Sequence, residues 1–185
     1  MQMSLDGFIE GPKGDPHEIL FTSDDQWDDI FEFLESVDTF LLGRVMYPEY
    51  EQYWGSVLTN PSAPANEIKY AQLAARSPHI VFSRTMTKAN WKNTRIVHDH
   101  IKEEIIRLKQ MPGKNIQIVG GAILASSMIN FGLVDEYRIL VNPIIIGDGK
   151  SLFRDLAESH KLNLVRITRF STGVVAMYYQ DATAK

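Results

Sequence analysis

Apolar positions along the chain recur at helical spacing in some stretches and run continuously in others, and the two kinds of stretch alternate. Trp27, Ile30, Phe31, Leu34 and Val37 are three or four apart, which predicts a helix over about 24–36. Ser23 stands ahead of it as a cap, with Gln26 in capping-box position, and Asp24 and Asp25 suit its first turn. "TFLL" (39–42) is a short buried strand. Pro48 fits the first turn of a helix over about 47–54, and another helix is predicted at about 65–76. "HIVFS" (79–83) and "RIVH" (95–98) are strands. Asp99 is placed to cap a helix whose face is Ile101, Ile105 and Leu108, and Met111-Pro112-Gly113 stops it.

"IQIVG" (116–120) is the next strand, and the helix after it runs to about Phe131 with Gly132 as a left-handed cap. "YRILVNPIIIG" (137–147) is a long apolar strand that Pro143 interrupts, so it is expected to bend or to lie partly at an edge. "LNLVRITRF" and "VVAMYYQD" flank "STG" as a terminal antiparallel hairpin. "EGPKGDPHE" (10–18) and "LTNPSAPANE" (58–67) are surface loops, and no repeat or low-complexity tract is found. Strands that alternate with helices predict an α/β fold: a mixed, mostly parallel sheet flanked by helices, closed by the hairpin.

Composition narrows the function. The 185 residues suit one domain, residues 1–185, and 44% hydrophobic with 23% charged residues is ordinary for a globular chain. With no cysteine there is no disulfide, thiolate metal site or cysteine nucleophile, which fits a cytoplasmic location. A net charge of -4 with no basic stripe argues against a nucleic-acid partner. No apolar run is long enough for a membrane span, and the N-terminus lacks the features of a signal peptide.

In open α/β sheets ligands bind beyond the carboxyl ends of the strands. "TFLL" is followed by Gly43-Arg44, "HIVF" by Ser83-Arg84-Thr85, and "IQIV" by Gly120-Gly121-Ala122. Glycines, cations and hydroxyls at three such turns suit a ligand with several phosphates: glycines let it approach backbone N–H groups at a helix start, and arginines offer planar forks. Taken alone, each glycine pair is more often a plain turn, each arginine a solvated charge and Ser83 a turn or cap residue; the signal is that three such turns occur in one alternating domain. Among Asp24, Asp25, Asp28 and Asp29, Asp28 lies nearest the apolar face and is the best candidate for a substrate carboxylate. His98 and His100 lack a third metal ligand, so no metal site is expected. Nucleophile-elbow, P-loop and G-x-G-x-x-G signatures are absent.

"MSLDGFIEG", "LLGR", "VFSRT" and "IQIVGGAIL…FGLVDEYRILVNPIIIGDGKSLF" occur in this order, and together they resemble the reductase domain of bacterial riboflavin biosynthesis, within the dihydrofolate reductase-like superfamily. The resemblance covers nearly the whole chain. Only "MQM" precedes "SLDG", so the first strand is expected to be short. The zinc deaminase often fused to this reductase requires cysteines, and this chain has none.

The resemblance implies an NADPH-dependent reductase. Gly43 and Arg44 would lie on the cofactor, Ser83, Arg84 and Thr85 would face its 2′-phosphate, and Gly120, Gly121, Ala122, Ile123 and Leu124 would cradle its pyrophosphate. Asp6 and Gly7 would line the nicotinamide and substrate side, with Asp6 as the polar substrate contact. Phe8, Trp27, Tyr47 and Tyr50 are candidates to stack on a flat substrate, or else core residues, the reading favoured for Trp27. The substrate is expected to be a ribosylaminopyrimidine, a pterin or folate, or another small planar heterocycle or carbonyl compound. The alternative class is a dinucleotide-binding module without turnover, such as a redox sensor. Related domains pair, so a C2 homodimer is expected.

Overall fold

From Val37 to Gly120 the chain runs strand, two helices, two strands, helix, strand, with the second and third of these strands joined by a segment that has no helix. The computed structural model describes residues 1–183, with Pro16 and His17 described by backbone alone. Packing divides the chain into two compact units, Trp27–Leu124 and a second made of Met1–Gln26 with Ala125 onward.

The first unit is built on four parallel strands in the order β5-β4-β3-β6. They are β3 (Val37–Gly43), β4 (His79–Phe82), β5 (Thr94–Val97) and β6 (Asn115–Gly120). Every β4 residue is buried, as expected of a parallel strand covered on both faces. Helices α2 (Met46–Thr59), α3 (Ala65–Arg76) and α4 (Ile101–Lys109) connect the strands. One core cluster gathers Leu34 of α1 (Asp24–Leu34), Phe40, Leu42, Tyr47, Tyr50, Ala74 and Val81.

Asp99 does not cap α4. The chain enters that helix through His100 in the left-handed conformation (φ 54°), which moves the cap position one residue beyond Asp99, and no side chain bonds there.

The second unit holds the sheet β1-β7-β10-β9, made of β1 (Gln2–Ser4), β7 (Glu136–Asn142), β9 (Leu162–Arg169) and β10 (Val175–Asp181). β1 runs parallel to β7, while β10 is antiparallel to both β7 and β9. A small antiparallel pair, β2 (Phe8–Glu10) and β8 (Lys150–Ser151), completes its strands.

Pro143 does not interrupt a strand, and β7 is not an edge. The strand stops at Asn142, so the missing N–H falls just outside the ladder, and β7 lies between β1 and β10. Helix α5 (Ala122–Asn130) ends as expected on Gly132 in the left-handed region (φ 65°), with its N–H on the Ile129 carbonyl at 2.8 Å.

The capping box at α1 does not form. Gln26 is buried, and its side chain is engaged by the Phe21 carbonyl (2.9 Å) and the Thr172 hydroxyl (2.9 Å). The Ser23 hydroxyl instead donates to Gln26 Oε1 and to the Asp25 carboxylate, which also accepts from Ser171 N (2.8 Å) and pins the hairpin turn to the helix start.

Candidate functional site

Because β3, β4, β5 and β6 are parallel, their carboxyl ends share one rim. Reading across in strand order, the rim carries His98 beyond β5, Ser83-Arg84-Thr85 beyond β4, Gly43-Arg44 beyond β3 and Gly120-Gly121 beyond β6. Neighbouring strands lie about 4.8 Å apart, so the three turns singled out in the sequence are brought side by side. All belong to one unit.

The three glycines have different reasons to be glycine. Gly121 has φ +98°, a conformation side chains rarely adopt. A Cβ on Gly43 would meet only ordinary neighbours, Leu124 Cβ at 3.7 Å and Gly121 Cα at 3.9 Å, so two bare backbones face one another across the β3–β6 gap. Gly120 departs from the expectation. A Cβ there would stand 2.1 Å from Met46 Sδ, so the space it leaves holds a protein side chain and is not room for a ligand. Gly43 and Gly121 therefore form the bare part of the rim.

Helix α2 starts at Met46, just beyond Gly43-Arg44-Val45, without a side-chain cap, so its first N–H groups open at this rim. Ala122 and Leu124 bury their side chains, whereas Ile123 is exposed.

Arg44, Arg84 and Thr85 are exposed, and neither arginine has an ion-pair partner among the described residues. Ser83 is buried and mostly committed. Its N–H donates to the Val97 carbonyl (3.0 Å), and its Oγ accepts from the N–H groups of Thr85 (3.2 Å) and Met86 (2.8 Å). Only its hydroxyl hydrogen remains to be donated, so Ser83 organises the turn that presents Arg84.

Two residues that the sequence reading passed over stand toward the amino ends of β4 and β5, away from this turn. Glu51 is buried, and its carboxylate collects four donors: Tyr47 OH (2.5 Å), Asn90 N (2.8 Å), Asn90 Nδ2 (2.7 Å) and Trp91 N (2.8 Å). Burial acts to raise its pKa, but these bonds outweigh it and hold the carboxyl below its usual range. Glu51 thereby fastens the loop between β4 and β5. His79 lies in an aromatic box of Phe40, Tyr47, Tyr50 and Trp91, with neither ring nitrogen hydrogen-bonded. Burial lowers its pKa to about 4 against the opposing pull of the Ser77 backbone and, less, of the Glu51 carboxylate.

Tyr47 and Tyr50 are not substrate platforms. Both are buried in the core cluster, with the Tyr47 hydroxyl on Glu51 and Thr94 and the Tyr50 hydroxyl on Tyr70. Burial raises the pKa of both. Their spacing of three, then four to Trp54, is a core-face signal. Trp27 is half-buried and packs on Phe31 and Tyr70, its ring centroid 5.7 and 6.0 Å from theirs. Asp28 is exposed on the same helix.

In the other unit Asp6 is exposed, and its carboxylate accepts from Gly147 N–H at 2.8 Å. The Ser4 hydroxyl, followed by the Gly147 and Ile146 backbone, lowers its pKa. An ionised Asp6 is suited to accepting a hydrogen bond, not to supplying a proton. Gly7 takes φ +90° and accepts from Leu152 N, and Phe8 is half-buried with its N–H on Ser4 Oγ. No group of three His, Cys, Asp or Glu side chains able to hold a metal ion occurs among the described residues, and no helix among them is long and apolar enough to cross a membrane.

The family model described as the RibD C-terminal domain matches residues 1–176. An uncharacterized protein of Bacillus subtilis, YyaP, is 36% identical over 97% of this chain and 91% of its own length. Among solved structures, a putative riboflavin biosynthesis protein from Shewanella superposes with a TM-score of 0.75 at 21% identity, covering 98% of this chain and 96% of the other. A dihydrofolate reductase from Enterococcus faecalis, complexed with NADP(H), superposes with a TM-score of 0.60 at 14% identity over 98% and 93% of the two chains. The α/β fold, with a parallel sheet between helices and antiparallel C-terminal strands, is thus dihydrofolate reductase-like.

Proposed function

Since the chain belongs to the RibD C-terminal domain family, we propose that it is an NADPH-dependent reductase that delivers hydride to a small planar heterocyclic or carbonyl substrate. The rim of the parallel sheet carries this reading. Gly43 and Gly121 turn bare backbone toward one another at 3.9 Å or less from where a Gly43 side chain would begin, a gap that any Cβ there would fill. Beside it, β4 ends on an exposed arginine and no carboxylate. An NAD site places an acidic group on the ribose 2′-hydroxyl, whereas an NADP site places a cation by the 2′-phosphate.

The residues present fit this cofactor. Gly43, Gly121 and the uncapped start of α2 suit its pyrophosphate, and Arg84 suits its 2′-phosphate, with Arg44 as a second cation. When bound, NADPH supplies the hydride. The chain's own part in this unit is to orient the dinucleotide by these contacts; in the other unit the ionised carboxylate of Asp6 is a candidate acceptor for an N–H or O–H of a substrate. Reduction of a ribosylaminopyrimidine, as in riboflavin biosynthesis, and reduction of a pterin are the two substrate classes that follow from the family.

The test pairs binding with turnover. A charge-assisted hydrogen bond is worth roughly 1.5–3 kcal/mol, so Arg84→Ala should weaken NADPH binding roughly 10- to 150-fold and leave NADH nearly unchanged at fixed ionic strength. An equal loss for both would remove Arg84 from the 2′-phosphate. NADPH oxidation across pyrimidine, pterin and quinone compounds separates a reductase from a binding module, which would bind the dinucleotide and oxidise none of it.

A further inference from the structure

The turn that carries Arg84 is held from the neighbouring strand. His98, just beyond β5, places Nδ1 2.7 Å from the Ser83 carbonyl oxygen. A carbonyl has no proton to give, so Nδ1 carries the hydrogen and Nε2 is the ring's uncommitted atom. With this bond both backbone polar groups of Ser83 are engaged, N–H on Val97 and carbonyl on His98, while its side-chain Oγ closes the turn over Thr85 and Met86.

The arrangement matters because residues 83–93 contain no helix or strand. Glu51 fastens the far end of this segment at Asn90 and Trp91, while at the near end His98 is the side chain from outside the segment that holds it. Arg84 itself is exposed, so its direction is set by the backbone it leaves from. Strand order puts His98 next to β4 and on the side away from Gly43 and Gly121. In the pose proposed above, with Arg84 on the 2′-phosphate, the adenosine of a dinucleotide whose pyrophosphate lies at those glycines would extend toward this end of the rim.

We propose that His98 is a positioning residue for dinucleotide choice: by holding the Ser83 carbonyl it fixes the direction in which Arg84 leaves β4, and so sets the preference for a 2′-phosphorylated cofactor. The inference rests on the NADPH reading above. His98 is exposed, so its replacement leaves the core untouched. Asparagine at this position keeps an N–H where Nδ1 stands and has nothing at Nε2, whereas alanine removes both.

The experiment titrates wild type, His98→Ala and His98→Asn with NADPH and with NADH, and follows amide hydrogen exchange at Thr85 and Met86 without cofactor. For His98→Ala the expected result is NADPH binding weakened about tenfold, the loss of one hydrogen bond. NADH should change less than about twofold, and the Thr85 and Met86 amides should exchange faster. His98→Asn should restore both NADPH affinity and slow exchange. Unchanged NADPH affinity in His98→Ala overturns the inference, as does an equal loss for both cofactors. A loss that asparagine does not rescue overturns it too, since it assigns the effect to Nε2 touching the ligand. Wild-type protein that binds neither dinucleotide overturns the NADPH reading itself and the choice built on it. That failure is distinct, because it shows in wild type before any variant is compared.

Discussion

Replacing His79 with leucine should make the fold less sensitive to acid. The imidazole is 1% exposed, boxed by four aromatic rings, and lacks a hydrogen-bond partner at either nitrogen. Its pKa falls from 6.5 to about 4 on folding, because burial opposes the charged form. A base whose folded pKa is depressed takes up its proton first in the unfolded chain. Its contribution is therefore intact above pH 6.5 and is lost as pH falls from there toward 4. Integrated over that window, the loss at pH 4.5 relative to pH 7.5 is roughly 2–3 kcal/mol. Leucine fills a similar volume and does not titrate. Urea unfolding of wild type and His79→Leu at the two pH values isolates the effect, since the carboxylates titrate in both proteins. Wild type should lose roughly 2–3 kcal/mol more than the variant. At pH 7.5 the variant should be as stable or more so, because two unsatisfied buried nitrogens are gone. Equal acid losses in the two proteins would refute the reasoning and mean that His79 accepts a proton in the folded state.

Gly43→Ala should fold normally, because its Cβ meets nothing closer than 3.7 Å, yet weaken NADPH and NADH alike by about tenfold or more, as titration would show; a loss confined to NADPH would contradict a pyrophosphate at this gap. Glu51→Gln turns an acceptor of Asn90 Nδ2 into a donor facing a donor, and should cost about 1–3 kcal/mol in urea unfolding, with faster amide exchange at Asn90 and Trp91. β9 is the outer strand of its sheet and exposes Leu164, Val165 and Ile167, so light scattering should return twice the 21.0 kDa chain mass and Ile167→Lys should halve it; a monomeric wild type would exclude the expected homodimer.

Periodicity made the elements legible. It placed the four parallel strands and, through them, the turns at Gly43, Arg84 and Gly121, because burial leaves its period in the sequence whatever the partner. It left open which groups meet. Glu51 and Trp91 are 40 residues apart, and His98 reaches Ser83 from the end of the neighbouring strand, 15 residues on. Nothing at either end of such a bond marks it, since a carboxylate on a helix is ordinarily solvated. The two tyrosines at 47 and 50 were ambiguous for a related reason: an aromatic ring suits a core and a ligand equally well, and only packing decides. Pro143 misled because a proline interrupts a ladder only from inside a strand.

The fit of Met46 against Gly120 has a consequence for tracing relatives. The methionine follows the "LLGR" stretch, and the glycine closes "IQIVG". A side chain at 120 would have to displace the Met46 thioether, so a larger residue at 120 is expected with that side chain turned aside or with a shorter one at 46. A search that scores Gly120 as a mark of dinucleotide use would therefore collect chains that merely keep a long side chain at 46. A search that asks for the left-handed glycine one residue later would collect those that preserve the turn itself.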